Sequence, residues 1–300
     1  MSISKEARVM LDGLRKSREL WPDLSKRDYK QMNEQQKEMC ESLPDPDGIT
    51  VEETSANGVP VEILYVDGAD EKWIFYIHGG GFLIGSAAMG RYESANIAVR
   101  CSRNVCGVNY TLATKAPFPA GLEDCGMAYC WLLETGVKAK DVVFLGESAG
   151  GNLVLALALW CKENKVELPG GICAFSPACD LTFTSASYHG RMEREYVLNG
   201  NTDEEVQSTY CKGADLKNPL VSPVYGDCTG FPPTAIHVAS EEMFYDDAVH
   251  MVETLKRDGV DVTFREWKDL CHTFLLSPLP ESNEAYDEIA AFFRDCCIFE

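Results

Sequence analysis

The stretch Phe144–Gly151 reads FLGESAGG; it follows the letters DVV and precedes the apolar run LVLALALW. A short apolar run that passes through glycines into a longer apolar run predicts a strand turning directly into a helix. Within it, GESAG matches G-x-S-x-G, the pattern that places a serine on a sharp strand-to-helix turn. Small neighbours are required there because a larger side chain would clash with nearby backbone. The stretch predicts that Ser148 is a nucleophile; a tight turn with an incidental serine is the alternative.

Outward from this stretch, short apolar runs of strand length alternate with helical stretches. The runs are WIFYI (73–77), VCGVNY (105–110), VVFLG (142–146), GICAFS (171–176), TAIHVA (234–239) and VTFREW (262–267). Runs that are apolar throughout predict strands covered by helices on both faces, and hence a mostly parallel, twisted sheet. VTFREW alternates more, as a strand nearer the sheet edge would.

The chain before these runs has a different character. ITVEET and VPVEILYV flank Asn57-Gly58, a turn signal that predicts an N-terminal β-hairpin. Residues 1–45 are polar and helix-prone, and residues 180–219 are polar without a clear strand. We predict a single α/β domain over residues 1–300, in which residues 1–45 and about 180–219 contribute a helical cap.

Composition limits the partners and the compartment. A net charge of −20 disfavours nucleic acid and anionic membranes as partners. The thirteen cysteines include no C-x-x-C pair and no Cys/His cluster at zinc spacing, so no metal site is predicted. The chain begins without the apolar segment of a signal peptide, and no stretch reaches the roughly 18 apolar residues that span a bilayer. We expect a cytoplasmic protein with reduced thiols; a homodimer is left open.

A second motif, HGGGF, follows the predicted strand WIFYI directly. Three successive glycines let the backbone approach a ligand closely and aim N–H groups at a developing oxyanion. We expect the N–H groups of Gly79, Gly80 and Ala149, the residue after the serine, to form an oxyanion hole, with Gly81 as the alternative donor. A flexible glycine loop without a catalytic role is the other interpretation.

A serine nucleophile needs a base, and the chain has five histidines. His78 belongs to the glycine motif, His237 lies inside an apolar strand as a core residue would, and His250 lies in a helical stretch. His272 follows VTFREW, and open α/β sheets bind their ligands at the carboxyl ends of strands. His272 is therefore the predicted base, and His189, in the segment 180–219, is the second candidate.

The acid that orients the base is expected in the loop after TAIHVA, which reads SEEMFYDD from 240 to 247. The order serine, acid, histidine along the chain is typical of the nucleophile-elbow architecture. Glu241, Glu242 and Asp246 all fit at this level. Asp246 and Asp247 equally suit the first turn of the next helix, where the helix dipole favours negative charge.

Taken together, these motifs resemble the hormone-sensitive-lipase family of α/β-hydrolase carboxylesterases. The resemblance rests on HGGGF, NYTLATKAPFPAGLED, GESAGGN, SPVYGDCTGFPPTAI, EEMFYDD and CHTF, and it covers nearly everything from Trp73 onward. It implies the α/β-hydrolase fold with a helical cap, the catalytic acid at Glu242 with Glu241 as the fallback, and a structural role for Asp246. The chain departs from the family at Glu147, where aspartate is usual, and at YTLATK, where YRLAPE is usual.

We therefore expect a serine esterase that hydrolyses short acyl, acetyl or aryl esters of small molecules with Ser148, Glu242 and His272, without metal or cofactor. An amidase or formamidase on the same fold is one alternative. Gly81 argues for esters, because aryl formamidases that resemble this family tend to carry an aromatic residue there. The other alternative is a non-catalytic hydrolase-like receptor; such proteins tend to lose a triad member, whereas this chain keeps all three.

Overall fold

Eight strands form one sheet in the order β1-β2-β4-β3-β5-β6-β7-β8 in the computed structural model, which describes residues 3–18, 28–41, 46–198 and 201–296. The strands are β1 (Ile49–Ala56), β2 (Val59–Val66), β3 (Trp73–Ile77), β4 (Asn104–Val108), β5 (Val142–Glu147), β6 (Gly171–Phe175), β7 (Thr234–Ala239) and β8 (Val262–Trp267). β2 runs antiparallel to both of its neighbours, and every other adjacent pair is parallel. The predicted mostly parallel sheet is confirmed, with strand bounds within two residues of the predicted runs.

The helices follow the strands in the alternation that the sequence predicted. They are α1 (Lys5–Arg18), α2 (Tyr29–Glu41), α3 (Arg91–Cys101), α4 (Ala120–Glu134), α5 (Ala149–Asn164), α6 (Ala186–Gly190), α7 (Thr202–Ser208), α8 (Tyr245–Arg257) and α9 (Pro280–Asp295). No helix in the described part of the chain is long and apolar enough to cross a membrane. The twelve cysteines in these ranges are free thiols, and all but Cys130 are buried.

The hairpin turns where the sequence places it. Ala56 pairs with Val59, which leaves Asn57 and Gly58 as a two-residue loop. Both loop residues have positive φ, 50° and 93°. A type I′ turn requires positive φ at both positions, and its twist matches that of the two strands. The predicted β-hairpin is confirmed.

Two cores lie on opposite faces of the sheet because successive side chains of a strand point to opposite sides. In β5, Phe144 packs with Phe75 and Tyr129 in the core covered by α4, α5 and α8, at ring-centroid distances of 5.5 and 4.8 Å. Its neighbour Leu145 lies in the other core, under α3 and α9. Every residue of β5 is buried, whereas the edge strand β8 is largely half-buried or exposed. The apolar runs of the sequence therefore reflect burial on both faces.

The two segments predicted as a cap differ in how they attach. Ser4, just before α1, donates to Glu281 of α9 at 2.9 Å, and Ala7 of α1 is fully buried in the core on that face. In α2, Asn33 accepts the N–H of Gly85, which follows the glycine motif, at 2.9 Å. The segment 180–219 contains α6, α7 and turns, and its described residues form no strand. Residues 1–2, 19–27, 42–45 and 199–200 of these predicted segments lie outside the described residues.

The junction of β5 with α5 has room only for glycine. A Cβ at Gly146 would lie 2.4 Å from the carbonyl oxygen of Gly150, and a Cβ at Gly150 would lie 2.0 Å from the carbonyl oxygen of Ile77. Both contacts are with backbone, which cannot move without shifting a strand or a helix. The close approach of β3, β5 and α5 thus depends on these two glycines.

We predict that Gly150→Ala unfolds the protein or lowers its free energy of unfolding by about 3 kcal/mol or more, because overpacking against backbone cannot relax. Gly13→Ala is the matched control, since a Cβ there meets no atom within 4 Å. In the middle of α1 the same substitution should raise stability by up to about 1 kcal/mol. Thermal unfolding followed by circular dichroism measures both. A Gly150→Ala protein as stable as the wild type would show that the junction of β5 and α5 does not require glycine at this position.

Candidate active site

Ser148 lies on the turn between β5 and α5 with a positive φ of 56° and a ψ of −118°. A non-glycine residue rarely adopts positive φ, so the surroundings must hold it there. Its N–H donates to the carbonyl of Phe175, at the end of β6, at 2.9 Å. Its side chain is 9% exposed and lies at the N-terminus of α5, where unpaired N–H groups favour negative charge. The predicted strand-to-helix elbow is present.

Ser148, His272 and Glu242 meet beyond the carboxyl ends of β5, β8 and β7 respectively. Nε2 of His272 lies 2.8 Å from Oγ of Ser148, and Nδ1 lies 2.6 Å from Oε2 of Glu242. An imidazole that donates its Nδ1 proton to a carboxylate keeps Nε2 free to accept a proton. The histidine is 2% exposed and the glutamate is fully buried. This geometry matches a serine–histidine–acid triad.

The carboxylate of Glu242 is fixed by two further donors. The hydroxyl of Ser176 donates to Oε1 at 2.7 Å, and the N–H of Ala239 donates to the same oxygen. Oε2 is thereby left for His272. Because both oxygens accept hydrogen bonds, the side chain is held in one orientation. The same hydrogen bonds offset the desolvation cost of burying a carboxylate.

The other two acid candidates point away from the histidine. Glu241 pairs with Arg194, Nη1 to Oε2, at 3.5 Å. Asp246 accepts the N–H of Ser187 at 2.7 Å and so ties α8 to α6. The structure brings Glu242, and neither alternative, to the imidazole.

The remaining histidines lie elsewhere. His237 is buried in β7, and its Nδ1 accepts the indole N–H of Trp267 at 3.2 Å, as a satisfied core histidine would. His189, the second candidate base, is exposed, as is His250 in α8. His78 is buried under the glycine loop, where its ring stacks on Tyr110 at 4.4 Å.

The glycine loop after β3 provides free N–H groups next to the serine. Gly80 and Gly81 have φ of 102° and 62° and line the cavity that contains Ser148. Within the described residues, neither N–H nor that of Ala149 donates a hydrogen bond. The N–H of Gly79 instead donates to Oε1 of Glu147. This contact corrects the expectation that Gly79 is an oxyanion donor, because its only N–H proton already points at a carboxylate.

Glu147 continues into a buried chain of polar groups. Its Oε2 accepts the hydroxyl of Tyr76 at 2.9 Å, and the same hydroxyl lies 2.7 Å from Oε1 of Glu93. The hydroxyl has one proton, so one of the two carboxyl groups must carry its own. Burial raises the pKa of Glu147 to about 7 and raises the pKa of Glu93 well above its usual value. Glu147 also has the N–H of Gly79 as a donor, which makes Glu93 the protonated partner.

The pKa of His272 reflects opposing influences. Burial disfavours the imidazolium and lowers the pKa, whereas the hydrogen bond and charge of Glu242 raise it. The carboxylates of Glu195 and Glu147 raise it further, and the net pKa lies above that of an ordinary histidine. The site therefore stabilises the protonated histidine that forms when a serine loses its proton.

A cavity of about 250 Å³ lies over Ser148 and has a mostly apolar wall. The apolar side chains that line it are Tyr29, Leu83, Ile84, Met89, Val197, Leu198, Val206 and Leu276. Tyr29 belongs to α2, and Val197, Leu198 and Val206 belong to the segment 180–219, so both predicted cap segments reach the cavity. Among the described residues, Glu147 and Glu205 are the acidic side chains that line it, and no Lys or Arg does.

Sequence reasoning missed four residues that support the site: Tyr76, Glu93, Ser176 and Glu195. A signal existed for Glu93, since it precedes the apolar Ile97 by four residues and so lies on the buried face of α3. No comparable signal marks Glu195, because its neighbours in RMEREY suggest a solvated segment.

Comparisons with known proteins identify the family of the chain. A family profile described as the alpha/beta hydrolase fold matches residues 74–276. An acetyl-hydrolase of Streptomyces hygroscopicus is 34% identical over 227 residues, covering 75% of this chain and 76% of that protein. An esterase of Acinetobacter venetianus is 30% identical over 259 residues, covering 85% of each.

Solved structures give the same result over almost the whole chain. The crystal structure of an esterase from the bacterial hormone-sensitive lipase family has a TM-score of 0.91 and 32% identity, covering 99% of this chain and 100% of that one. A hormone-sensitive lipase from a metagenome library has a TM-score of 0.93 and 31% identity, with the same coverage. The chain belongs to the α/β-hydrolase family, among the esterases related to hormone-sensitive lipase, and it is a carboxylic ester hydrolase.

Proposed function

We propose that this esterase hydrolyses short-chain esters of small molecules without negative charge through an acyl-enzyme intermediate on Ser148. The observation that carries the proposal is the continuous line of hydrogen bonds from Ser148 Oγ through His272 to Glu242, at 2.8 and 2.6 Å. A structural serine in a turn would need neither partner.

In the first half-reaction, Oγ of Ser148 attacks the ester carbonyl carbon while its proton moves to Nε2 of His272. The carbonyl oxygen becomes an oxyanion, and Glu242 stabilises the imidazolium. When the tetrahedral intermediate collapses, the bond to the alcohol oxygen breaks, and His272 gives its proton to that oxygen. The acyl group stays on Ser148.

The oxyanion is received by backbone donors that are already in place. We assign this role to the N–H groups of Gly80, Gly81 and Ala149, whose protons have no other acceptor within the described residues. Donors that need not reorganise during the reaction are worth about 10²–10³ in rate each. Glu147 acts indirectly, since it holds Gly79 and thereby fixes the start of the loop.

In the second half-reaction, water takes the place of the alcohol. His272 removes its proton, the new oxygen attacks the acyl carbon, and the bond to Oγ of Ser148 breaks as Oγ regains the proton from His272. The products are a carboxylic acid and regenerated enzyme. In both half-reactions, each proton moves to or from Nε2 of His272.

The size and charge of the cavity set the substrate class. Its volume of about 250 Å³ is below the roughly 300–1,000 Å³ typical of small-molecule pockets, which favours small acyl groups. Its carboxylates disfavour esters that carry a negative charge.

We also propose that α2 and the segment 180–219 act as the cap, because both supply residues of the cavity wall.

For nitrophenyl esters from acetate to decanoate, we expect kcat/KM to be greatest between acetate and hexanoate and to fall about tenfold or more by decanoate, since longer chains exceed the cavity. Ser148→Ala should lower kcat about 10⁴-fold or more on every ester, because triad residues act as a unit. Initial rates at a fixed pH measure both effects.

Ser55→Ala is the matched control, since Ser55 is exposed on the hairpin. It should leave all rates unchanged. Decanoate hydrolysed as well as butyrate would contradict the short-chain proposal, and a Ser148→Ala protein with wild-type turnover would contradict the acyl-enzyme mechanism.

Tyr76→Phe should lower kcat about 10- to 100-fold with little change in KM, because it frees Glu147 and with it the loop that receives the oxyanion. Glu93→Gln should retain most activity, since a neutral amide can donate to the phenol oxygen as the protonated carboxyl group does. Steady-state kinetics on nitrophenyl acetate distinguish the two variants.

Tyr92→Phe serves as the control, because Tyr92 neighbours Glu93 in α3 and is 50% exposed. A Tyr76→Phe enzyme with wild-type kcat would show that the buried chain does not support catalysis. A loss in Glu93→Gln as large as that in Tyr76→Phe would show that Glu93 is not the protonated partner.

A further inference from the structure

Glu195 is a buried carboxylate that the triad mechanism does not use. It lies in the segment 180–219 and is 1% exposed. In the described part of the chain no Lys or Arg forms an ion pair with its side chain. A buried carboxylate without a cation needs other donors, because desolvation disfavours its charge.

Three backbone N–H groups provide them. Oε1 accepts the N–H of Val197 at 2.8 Å and that of Leu198 at 3.2 Å. Oε2 accepts the N–H of Met243 at 3.1 Å. Val197 and Leu198 line the cavity over Ser148, and Met243 directly follows Glu242. One carboxylate therefore joins the cavity wall to the loop that carries the triad acid.

Among the described residues, the arginines around this junction have partners other than the carboxylate of Glu195. Arg18 donates to the main-chain carbonyl of Glu195, not to its side chain. Arg191 donates to the carbonyl of Ser240 and lies 3.9 Å over the ring of Tyr245. Arg194 pairs with Glu241. The contacts of Arg191 and Arg194 join the segment 180–219 to the loop after β7, and none of the three arginines neutralises the carboxylate of Glu195.

That charge acts on His272. Burial lowers the pKa of the histidine; the hydrogen bond and charge of Glu242, then the charge of Glu195, then that of Glu147 raise it. Burial in turn raises the pKa of Glu195, and the charge of His272 lowers it. Two other titratable groups lie beside Glu195. The charge of Glu242 raises the pKa of Glu195, and the thiol of Cys271 stays neutral because burial raises its pKa to about 12.

We propose that Glu195 is a positioning residue that holds the Val197–Leu198 wall of the cavity against the Glu242 loop and places a second negative charge beside His272. The proposal rests on the proposed triad function. It makes two separable predictions: the contacts of Glu195 set how the cavity binds an ester, and its charge sets the pH at which His272 becomes an available base.

Two substitutions separate the contacts from the charge. Glu195→Gln removes the charge and turns one acceptor oxygen into a donor, so one side of the junction is lost. Without the charge the imidazolium is less stable, and the acid limb of kcat/KM should move down by roughly 0.5–1 pH unit. KM for nitrophenyl butyrate should rise about 3- to 10-fold because the Val197–Leu198 wall is no longer held.

Glu195→Asp keeps the charge, but its side chain is too short to reach both the wall and the Glu242 loop. KM should therefore rise, while the acid limb of kcat/KM stays at the same pH.

Glu193→Gln is the control, since Glu193 is an exposed carboxylate in the same segment. It should change neither KM nor the acid limb. A folded Glu195→Gln enzyme with wild-type KM and acid limb would overturn the proposal. If that variant does not fold, Glu195→Asp decides, and wild-type KM there would overturn the proposal equally. Failure of the proposed function looks different: the wild-type enzyme itself would then lack turnover or lack an acid limb.

Discussion

The positive-φ backbone of Ser148 determines where the other groups of the site can lie. The chain leaves β5, reverses at one residue and enters α5, and this is possible only because Gly146 and Gly150 let backbone atoms approach within distances that exclude a Cβ. The consequence is a serine hydroxyl above the sheet, 2.8 Å from Nε2 of His272. The same turn makes Ala149 the first residue of α5, and its N–H has no acceptor among the described residues. A shift of the elbow would therefore misplace the proposed nucleophile and a proposed oxyanion donor together.

Around this elbow, backbone N–H groups stabilise buried carboxylates that pair with no Lys or Arg of the described residues. Glu147 receives the N–H of Gly79, Glu195 receives those of Val197, Leu198 and Met243, and Glu242 receives that of Ala239. Each carboxylate thereby fixes one loop, and together they surround His272 with negative charge. The side chains that position the loops are thus the ones that stabilise a positive charge on His272. This explains how an imidazole that is 2% exposed keeps a pKa above the ordinary value in spite of its burial.

The sequence predicted what periodicity and motif spacing determine, namely the parallel strands, the hairpin at Asn57-Gly58, the elbow and the loop after β8 that carries His272. It left open what depends on side-chain direction. Three carboxylates in SEEMFYDD fit the acid from the residues alone, and three-dimensional contacts separate Glu242 from Glu241, which faces Arg194. Gly79 was predicted as an oxyanion donor because nothing in HGGG indicates that the side chain of Glu147 is long enough to accept a hydrogen bond from its N–H. Glu195 was missed because burial by a distant loop leaves no local pattern.

Covalent labelling with a fluorophosphonate, followed by peptide mass mapping, tests directly whether Ser148 is the nucleophile. We expect one adduct per chain, on Ser148, and much slower labelling of the His272→Ala variant, because the hydroxyl reacts when the imidazole removes its proton. An intact protein that stays unlabelled, or that carries its adduct on another serine, would contradict the assignment of Ser148 as the nucleophile.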